Sequence, residues 1–592
     1  MARPRHARVD DARRGTRRTV TFWVVLVLGI GLVLIAAAFV VDGVRLLGSK
    51  DALTQHAAAA KTALLERDAT ALSAEVAELE AAAQTFAGAT SGPHWWIAAH
   101  LPWVEDQAVP LMAAGKAVDA VAREALAPLA GLGSLDALEA PAFEDGRIDP
   151  DTLEPYRETL AQAAEALDAQ QTALADVDIA GTIDAVAGPF VELREQLETV
   201  GGIVQGGHVA AELLPTMLGG DEPRTYLVMV QNNAEPRTTG GIPGAVIEVT
   251  VEDGRMTQGR YASASSMVVP DGVGGLTDDE LRIFSERMEI YPHDVNFTPE
   301  FPRSAELMTR FWAAEFDETV DGVLSVDPVA LGWMLAGASP TEIADFTLTS
   351  DSLADVMLNQ AYFAFEDPAE QDAFFARASA ELFGRIVSGE TNVLGGVERA
   401  IEAGRFMIWS ADGGEQELLA TTPAAGAFLE SDDALGVFLN DGSGSKIGYY
   451  VDTATTVTNH LCTDGSLAGQ TIAVTLTHTY DGDVADLPEY ISGGDVYVPA
   501  GEFHANLLVY PRGGTGVTKV TEDGAQAGLN PEQQEGRTVG TVRVVLEPGQ
   551  SVTYTFEIAA SQAGLLPPVY VDTPGPKPNV YEAATDRVAE GC

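Results

Sequence analysis

The chain is poor in cysteine, in basic residues and in recognisable catalytic motifs. Its 592 residues include only 2 cysteines, too far apart for a C-x-x-C metal or redox site. Its 35 lysines and arginines are outnumbered by 87 aspartates and glutamates, which gives a net charge of -52. Because such a surface repels a phosphate backbone, nucleic-acid binding is excluded. The motifs H-E-x-x-H and G-x-S-x-G are absent, so zinc-protease and serine-hydrolase chemistry has no support.

The N-terminus is basic and precedes a long apolar run. Seven arginines and two aspartates give residues 1–19 a charge of +5. Residues 20–41 form an uncharged run of 22 residues, close to the roughly 20 that cross a bilayer as a helix. We predict a cytoplasmic tail (1–19), an uncleaved transmembrane helix (20–41) and an extracellular remainder, with the lipid bilayer as a partner. A cleaved secretory signal is the alternative.

The two cysteines fit an oxidising compartment. An even pair in an exported chain favours a disulfide between Cys462 and Cys592, with two unpaired thiols as the alternative. Closing a loop of that length contributes about 4 to 5 kcal/mol in the chain-entropy model.

Residues 51–218 have the apolar periodicity of helices and are predicted to form a helical stalk or bundle. A four-three spacing runs from Ala58 to Phe86, as in a coiled-coil seam. One continuous helix would place Trp95, Trp96 and Trp103 on the order of 50 Å from the bilayer. That distance favours a hairpin-turn core for these tryptophans over a membrane-interface belt.

The rest of the chain predicts two further domains, which makes the fold class multidomain α+β. Strand patterns alternate with helical ones over 219–446 and predict a central α/β domain. Alternating β-branched segments over 447–562 predict an antiparallel β-sandwich. The proline-rich segment 563–592 is expected to form an extended C-terminal tail over its surface.

A polar segment between two strand candidates of the central domain is the predicted ligand loop. The strands cover 226–230 and 245–251, and the apolar pattern stops between them. Amide, charged and hydroxyl groups are costly to bury without partners, which makes the segment a plausible recognition site. The candidate binding residues are Gln231, Asn232, Asn233, Glu235, Arg237, Thr238, Gly240 and Gly241.

Three separated motifs carry a family resemblance. They are YLVMVQNNAEPRTTGG, VDGVLSVDPVALGWML and FLNDGSGSKIGYY. Together they resemble the actinobacterial 4012 domain-of-unknown-function family, which is membrane-anchored and has no assigned activity. The family motif reads more like QNNAELRPTGGF, so Pro236, Thr238 and Ile242 depart from it. The resemblance implies an envelope protein connected with surface polysaccharide.

Two functions follow from these observations. The first is a non-enzymatic scaffold or binding module of the cell envelope without a cofactor, holding a glycan or a protein partner. The second is a Mg²⁺-dependent transferase of lipid-pyrophosphate-linked glycopolymers, from a distant likeness to the LytR-CpsA-Psr transferases. That chemistry needs guanidinium groups for the pyrophosphate and carboxylates for the metal.

The transferase hypothesis has its own candidate residues. Arg237, Arg255 and Arg260 would hold the pyrophosphate, and Asp271 or Asp327 the metal. The arginine–aspartate signature of that family is not reproduced. Bracing of the loop by an Arg237–Glu235 ion pair explains the same residues, so the sequence favours the binding module.

Overall fold

The computed structural model describes residues 37–63, 68–102, 104–132, 146–179, 181–389, 391, 393–462, 467–559 and 569–587. They form two compact units, of which unit 1 holds the described residues up to 132 together with 158–204. Unit 2 holds residues 146–157 and the described residues from 205 onward. The predicted tail 1–19 and most of the predicted span 20–41 lie outside the described residues. Within the described ranges, no helix combines the length and apolarity needed to cross a membrane.

Unit 1 is helical. Its elements are α1 (described residues 37–63), α2 (Ala69–Ala89), α3 (Pro93–Ala98), α4 (Glu105–Ala120), a π-helical turn (Val121–Leu126), α5 (Ala127–Ala130), α6 (Arg157–Ala175) and α7 (Asp184–Met217), the last of which continues into unit 2. The predicted seam is confirmed along α2, where Leu72, Val76, Leu79 and Ala83 are buried.

Helices α1 and α2 form an antiparallel hairpin, so the prediction of one continuous helix is wrong. His56 Nδ1 lies 2.7 Å from Glu75 Oε2, and His94 Nε2 lies 2.6 Å from Asp42 Oδ2. The chain therefore returns toward residue 42 by the end of α2. Asp68 starts the second helix, because its carboxylate accepts a hydrogen bond from the Ala71 amide as an N-cap.

The central part of unit 2 is a five-stranded mixed sheet with the order β3-β2-β1-β4-β7. Its strands are β1 (Arg224–Arg237), β2 (Gly240–Glu252), β3 (Arg255–Ser263), β4 (Gly322–Val326) and β7 (Phe406–Ser410), and a separate hairpin comprises β5 (Thr341–Ile343) and β6 (Phe346–Leu348). β1 pairs in parallel with β4, and the other neighbours are antiparallel. The strand segments predicted at the start of this domain are confirmed.

Helices and short turns cover this sheet. They are α8 (Asp278–Ile283), α9 (Arg287–Ile290), α10 (Phe301–Phe316), α11 (Pro328–Met334), α12 (Leu353–Asp355), α13 (Ala361–Ala364), α14 (Pro368–Val387), α15 (Val393–Glu402) and α16 (Gly413–Ala420). One face of the sheet packs on α10 through Phe311 and Trp312, which are fully buried. That core also includes Phe438 and Tyr510 from the following sandwich, so the two parts of unit 2 share one apolar interior.

The C-terminal part is a sandwich of two sheets. The strands are β8 (Ala434–Asp441), β9 (Val451–Leu461), β10 (Leu467–His478), β11 (Phe503–Tyr510), β12 (Val517–Glu522), β13 (Ala525–Gln526), β14 (Asn530–Gln534), β15 (Arg537–Leu546), β16 (Ser551–Ala559), β17 (Val569–Asp572) and β18 (Val580–Arg587), and helix α17 (Glu489–Ser492) lies between β10 and β11. The sheet orders are β13-β12-β16-β10-β9-β18 and β14-β15-β11-β8-β17.

Two predictions about the sandwich need correction. Strand β8 precedes the predicted boundary at residue 447 but pairs with β11 inside the sandwich. The described part of the C-terminal tail is extended, as predicted, but it does not lie over the sandwich surface, because β17 and β18 extend the two sheets by parallel pairing with β8 and β9. The sandwich is therefore antiparallel except at these two edges. Cys462 is buried and Cys592 lies outside the described residues, so their disulfide stays a prediction.

Candidate functional site

The segment predicted as a ligand loop extends the β1–β2 hairpin. The prediction of a loop is therefore wrong for the backbone. β1 continues to Arg237 and β2 begins at Gly240, so two residues connect them. The pairing register shifts between Asn232 and Pro236, which leaves residues 233–235 without partners on β2. Such a bulge bends a strand and redirects its side chains. Here it carries the polar residues out of the sheet and into the interior of unit 2.

Two glycines make the hairpin possible. Gly240 has φ of 130°, a conformation that other residues rarely adopt. A Cβ atom on Gly241 would lie 2.2 Å from the Asn232 carbonyl, so only glycine fits against that backbone. The Gly241 amide donates to Gln231 Oε1 at 2.9 Å, which closes the base of the hairpin. These glycines have a structural role.

The first two amide side chains bind neighbouring elements. Gln231 is buried, and its Nε2 donates to Ser325 Oγ on β4. Asn232 Nδ2 donates to the Tyr362 hydroxyl at 2.7 Å, and its Oδ1 accepts from the Ala234 amide. Both residues therefore fix the hairpin in place while lining one side of a cleft described below.

The carboxylates proposed as metal ligands do not fit a metal. Asp327 is buried, and its Oδ1 caps α11 by accepting from the Ala330 amide at 2.8 Å. Its Oδ2 accepts from Asn233 Nδ2 at 2.9 Å and from Arg405 Nη1. Asp271 is exposed, and the described residues contain no cluster of three or more potential metal ligands. Since both oxygens of Asp327 are engaged, its role is structural.

Five charged residues form a network around the hairpin. Arg237 Nη2 donates to Glu235 Oε1 and to Asp294 Oδ1, both at 3.1 Å. Lys446 Nζ donates to the other oxygen of Glu235, across 211 positions of sequence. Arg287 Nε donates to Asp294 Oδ2 at 2.8 Å. Each cation therefore faces a carboxylate, as burial of charge requires.

The network sets the protonation of two buried carboxyls in opposite directions. Burial opposes ionisation of Glu235, but the Lys446 and Arg237 charges prevail and lower its pKa to about 2. Burial and the nearby Glu235 charge raise the pKa of Asp441 to about 7, although Ser443 donates a hydrogen bond to it. The cations therefore favour the ionised form of Glu235, whereas burial and the Glu235 charge favour the protonated form of Asp441.

The tip of the hairpin joins the sheet to the sandwich. The Thr238 amide donates to Asn440 Oδ1 at 2.9 Å, and its hydroxyl donates to the Phe297 carbonyl at 2.6 Å. Asn440 Nδ2 donates to the same carbonyl at 2.9 Å. Thr238 and Asn440 are buried, so this tip is a structural joint.

A cleft of about 640 Å³ opens beside the hairpin, within unit 2. Its volume falls in the range of small-ligand sites. Part of its wall is polar and comes from Gln231, Asn232, Glu235 and Arg237 of the hairpin, with Asp294, Arg287, Asp441 and Lys446 around them. Another part is aromatic and includes Phe297, Tyr362, Tyr490 and Tyr497. Tyr490 stacks on Tyr362 at 5.9 Å and is 43% exposed, and Tyr497 is 76% exposed.

Half of the sequence-predicted binding residues reach this cleft. Gln231, Asn232, Glu235 and Arg237 line it, whereas Asn233, Thr238, Gly240 and Gly241 do not. The structure does not bring the three candidate pyrophosphate arginines together. Arg260 bonds to Glu318 at 2.8 Å and lies over the Phe316 ring, and neither it nor Arg255 lines the cleft.

Sequence reasoning missed the tyrosines and three of the five charged residues of the network, which are Asp294, Arg287 and Lys446. Tyr362, Tyr490 and Tyr497 come from three separate segments, and none of them stands in a motif. Lys446 donates to Glu235, and no local sequence pattern links these two residues. In residues 440–446, single polar residues alternate with glycines. This pattern is the sequence signal that could have located this part of the cleft.

Residues 221–362 match the model of a family described as Protein of unknown function (DUF4012). The match contains the first two motifs that carried the resemblance, and the third lies beyond it. No curated protein and no solved structure matches the chain.

Proposed function

We propose that unit 2 is a non-enzymatic carbohydrate-binding module of the bacterial cell envelope, which holds a surface or cell-wall glycan in the cleft beside the β1–β2 hairpin. The observation that carries the proposal is that exposed tyrosine rings and buried polar groups line the same cleft. Sugar rings present C–H faces that pack on aromatic rings and hydroxyls that bond to amides and charged groups. In the proposal, the rings of Tyr490 and Tyr497 pack against the C–H faces of the sugar. The polar side chains of the hairpin form hydrogen bonds with its hydroxyls.

The charges favour a neutral or weakly charged glycan over a pyrophosphate. Arg237, Arg287 and Lys446 are the cations of the cleft wall, and each pairs with a carboxylate. Recognition of a pyrophosphate needs guanidinium groups whose donors are free to fork onto its oxygens. A polyhydroxylated ligand needs no net charge, so it fits this balanced wall.

The proposal includes the predicted location. The run 20–41 anchors the chain in the cell membrane as a single-pass helix with its N-terminus in the cytoplasm. Units 1 and 2 then lie outside, where a glycan is available and ATP is not. An envelope protein is the alternative partner, and the metal-dependent transfer of lipid-linked glycopolymers is the alternative function.

The test is binding by the full chain in detergent or nanodiscs, titrated with purified surface polysaccharide and with a polyprenyl-pyrophosphate lipid. Each titration is run with and without magnesium. We expect magnesium-independent polysaccharide binding. Magnesium-dependent binding of the lipid alone would overturn the proposal and favour the transferase.

Two neighbouring substitutions make the test specific to the cleft. Tyr497→Ala removes a ring that lines the cleft and is expected to weaken polysaccharide binding about tenfold, the equivalent of roughly 1.4 kcal/mol. Val496 is 63% exposed and does not line the cleft, so Val496→Ala is the matched control. Equal affinities in both variants would place the glycan elsewhere.

A further inference from the structure

The antiparallel α1–α2 hairpin brings Trp95 and Trp96 back to the end of the predicted membrane span. The Phe39 ring lies 5.2 Å from Trp95 and 4.9 Å from His94, both in edge-on contact. Asp42 is the first charged residue after the uncharged run 20–41. Its Oδ2 lies 2.6 Å from His94 Nε2 and accepts a hydrogen bond from Trp95 Nε1 at 3.3 Å. Helix α3 is thus fixed beside the boundary of that run.

The predicted separation of about 50 Å between Trp96 and the end of the run 20–41 is therefore wrong. It required α1 and α2 to form one helix pointing away from residue 41. In the hairpin, α3 contacts α1 between Phe39 and Leu46. Leu46 lies about 6 Å along the helix axis beyond Asp42. The headgroup layer on one side of a bilayer is of similar thickness, roughly 5 to 8 Å.

Exposed apolar side chains surround this contact. We define the membrane-proximal patch by Val44, Leu47, Trp96, Ile97, Leu101 and Val104, which are between 39% and 75% exposed. The large apolar side chains of α2 and α6 have no comparable exposure in the described residues. Val109, Ile183 and Ile203 of unit 1 are also exposed, at 40%, 58% and 38%, but most of the exposed large apolar side chains in its described residues belong to the patch or to the adjoining residues 40 and 41. Trp103 lies outside the described residues.

We propose that the membrane-proximal patch lies in the outer headgroup layer of the bilayer, so that unit 1 rests on the membrane that the run 20–41 enters. Trp96 is 61% exposed, and indole rings favour the water–lipid boundary because they have an apolar body and a polar N–H. A clustered apolar surface facing water is unfavourable, and insertion into the headgroup layer removes it from water. The proposal rests on the predicted span and not on the carbohydrate site.

Arg45 supports a lipid partner. It lies on α1 between Val44 and Leu47, and its side chain is 58% exposed while Nη1 remains 3.5 Å from Asp42 Oδ1. A long cationic side chain can keep its stem on apolar groups and its guanidinium among lipid phosphates. A second copy of this chain, the other occupant to consider, would be expected to repel it through the net charge of -52.

Depth-dependent quenching of a fluorophore in the full chain tests the proposal. Leu101→Cys is labelled with an environment-sensitive fluorophore in lipid nanodiscs, and the unsubstituted protein is the blank for labelling of Cys462 and Cys592. Ser73→Cys on α2 is the matched control, because Ser73 is exposed and lies about 24 Å along that helix from its end at Ala89. Lipids that carry a quencher near the headgroup are then added.

We expect the label at position 101 to be quenched several-fold more strongly than the label at position 73. Equally weak quenching at both positions would overturn the proposal. Weak quenching at 101 with crosslinking between chains would also overturn it, in favour of a second copy. Both variants are compared with the parent by circular dichroism. If Leu101→Cys disturbs the helices, the same readout is taken from Val104→Cys.

Discussion

Arg237 donates from Nη2 to Asp294 Oδ1 at 3.1 Å, and both side chains are buried. The same Nη2 reaches Glu235, so one guanidinium joins a carboxylate of β1 to one in the turn before α10. Arg237 is therefore a brace between two segments as well as a part of the cleft wall.

Arg237→Ala is expected to destabilise unit 2 by about 3 to 5 kcal/mol, because Asp294 would lose a buried cationic partner and Glu235 would retain only Lys446. Urea denaturation followed by tryptophan fluorescence measures the change. Arg237→Lys is the control for charge and is expected to recover only part of the loss, since an ammonium lacks the planar fork. An Arg237→Ala protein with parental stability and no glycan binding would show that the residue serves the ligand instead.

Gly241→Ala is expected to lower the free energy of unfolding by 2 kcal/mol or more, about the cost of overpacking a closed backbone contact. The added Cβ would lie 2.2 Å from the Asn232 carbonyl. Gly244→Ala is the matched control in the same hairpin, because its nearest neighbour would be the Val230 carbonyl oxygen at 3.9 Å. Thermal unfolding of the two variants compares them. Equal losses would contradict the register described for β1 and β2.

Glu300 is expected to make unit 2 less stable as the pH rises. Its Oε2 accepts from the Leu429 amide at 2.8 Å, and burial raises its pKa to about 8. Glu430 and Glu535 also raise this pKa, whereas the Leu429 amide and Arg537 lower it. The folded chain therefore keeps a proton that the unfolded chain loses above its usual pKa of 4.5. The resulting contribution to the stability of the folded state is complete below pH 4.5. It declines as the pH rises to about 8.

Glu300→Gln keeps a neutral side chain at this position at every pH. Between pH 5 and pH 8, Glu300 is expected to lower the free energy of unfolding of the parent by on the order of 1 kcal/mol per pH unit. We expect Glu300→Gln to remove this part of the slope. Urea denaturation at four pH values measures the slope. Glu286→Gln, at an exposed position, is the control. An unchanged slope in Glu300→Gln would show that Glu300 is ionised in the folded protein.

The pairing of β18 with β9 supports the Cys462–Cys592 disulfide prediction. Arg587 lies opposite Leu461 in the register, next to Cys462 in sequence. Only four residues lie between Arg587 and Cys592 in the sequence. Non-reducing peptide mapping is expected to find Cys462 and Cys592 in one crosslinked peptide. Reduction should then destabilise the sandwich by about 4 kcal/mol, and two alkylated thiols in the untreated protein would refute the pairing.

The sequence by itself determined the elements whose side-chain periodicity repeats along the chain. The seam from Leu72 to Ala83 and the strand segments of the sheet and sandwich are local patterns of burial, so they can be read one residue at a time. It also located the polar segment after Val230, because amide and charged residues that interrupt the apolar pattern of a strand stand out locally.

Only the tertiary structure decided what those residues do. The partner of Glu235 is 211 positions away at Lys446, and no local pattern encodes such a pair. The sequence offered Asp327 as a metal ligand, but Asn233 and Arg405 already occupy its Oδ2. The reversal between α1 and α2 likewise places α3, which carries Trp96, beside Phe39 and Leu46 of α1 and not at a distant tip. Helical periodicity is the same on both sides of a turn, so it carries no information about chain direction.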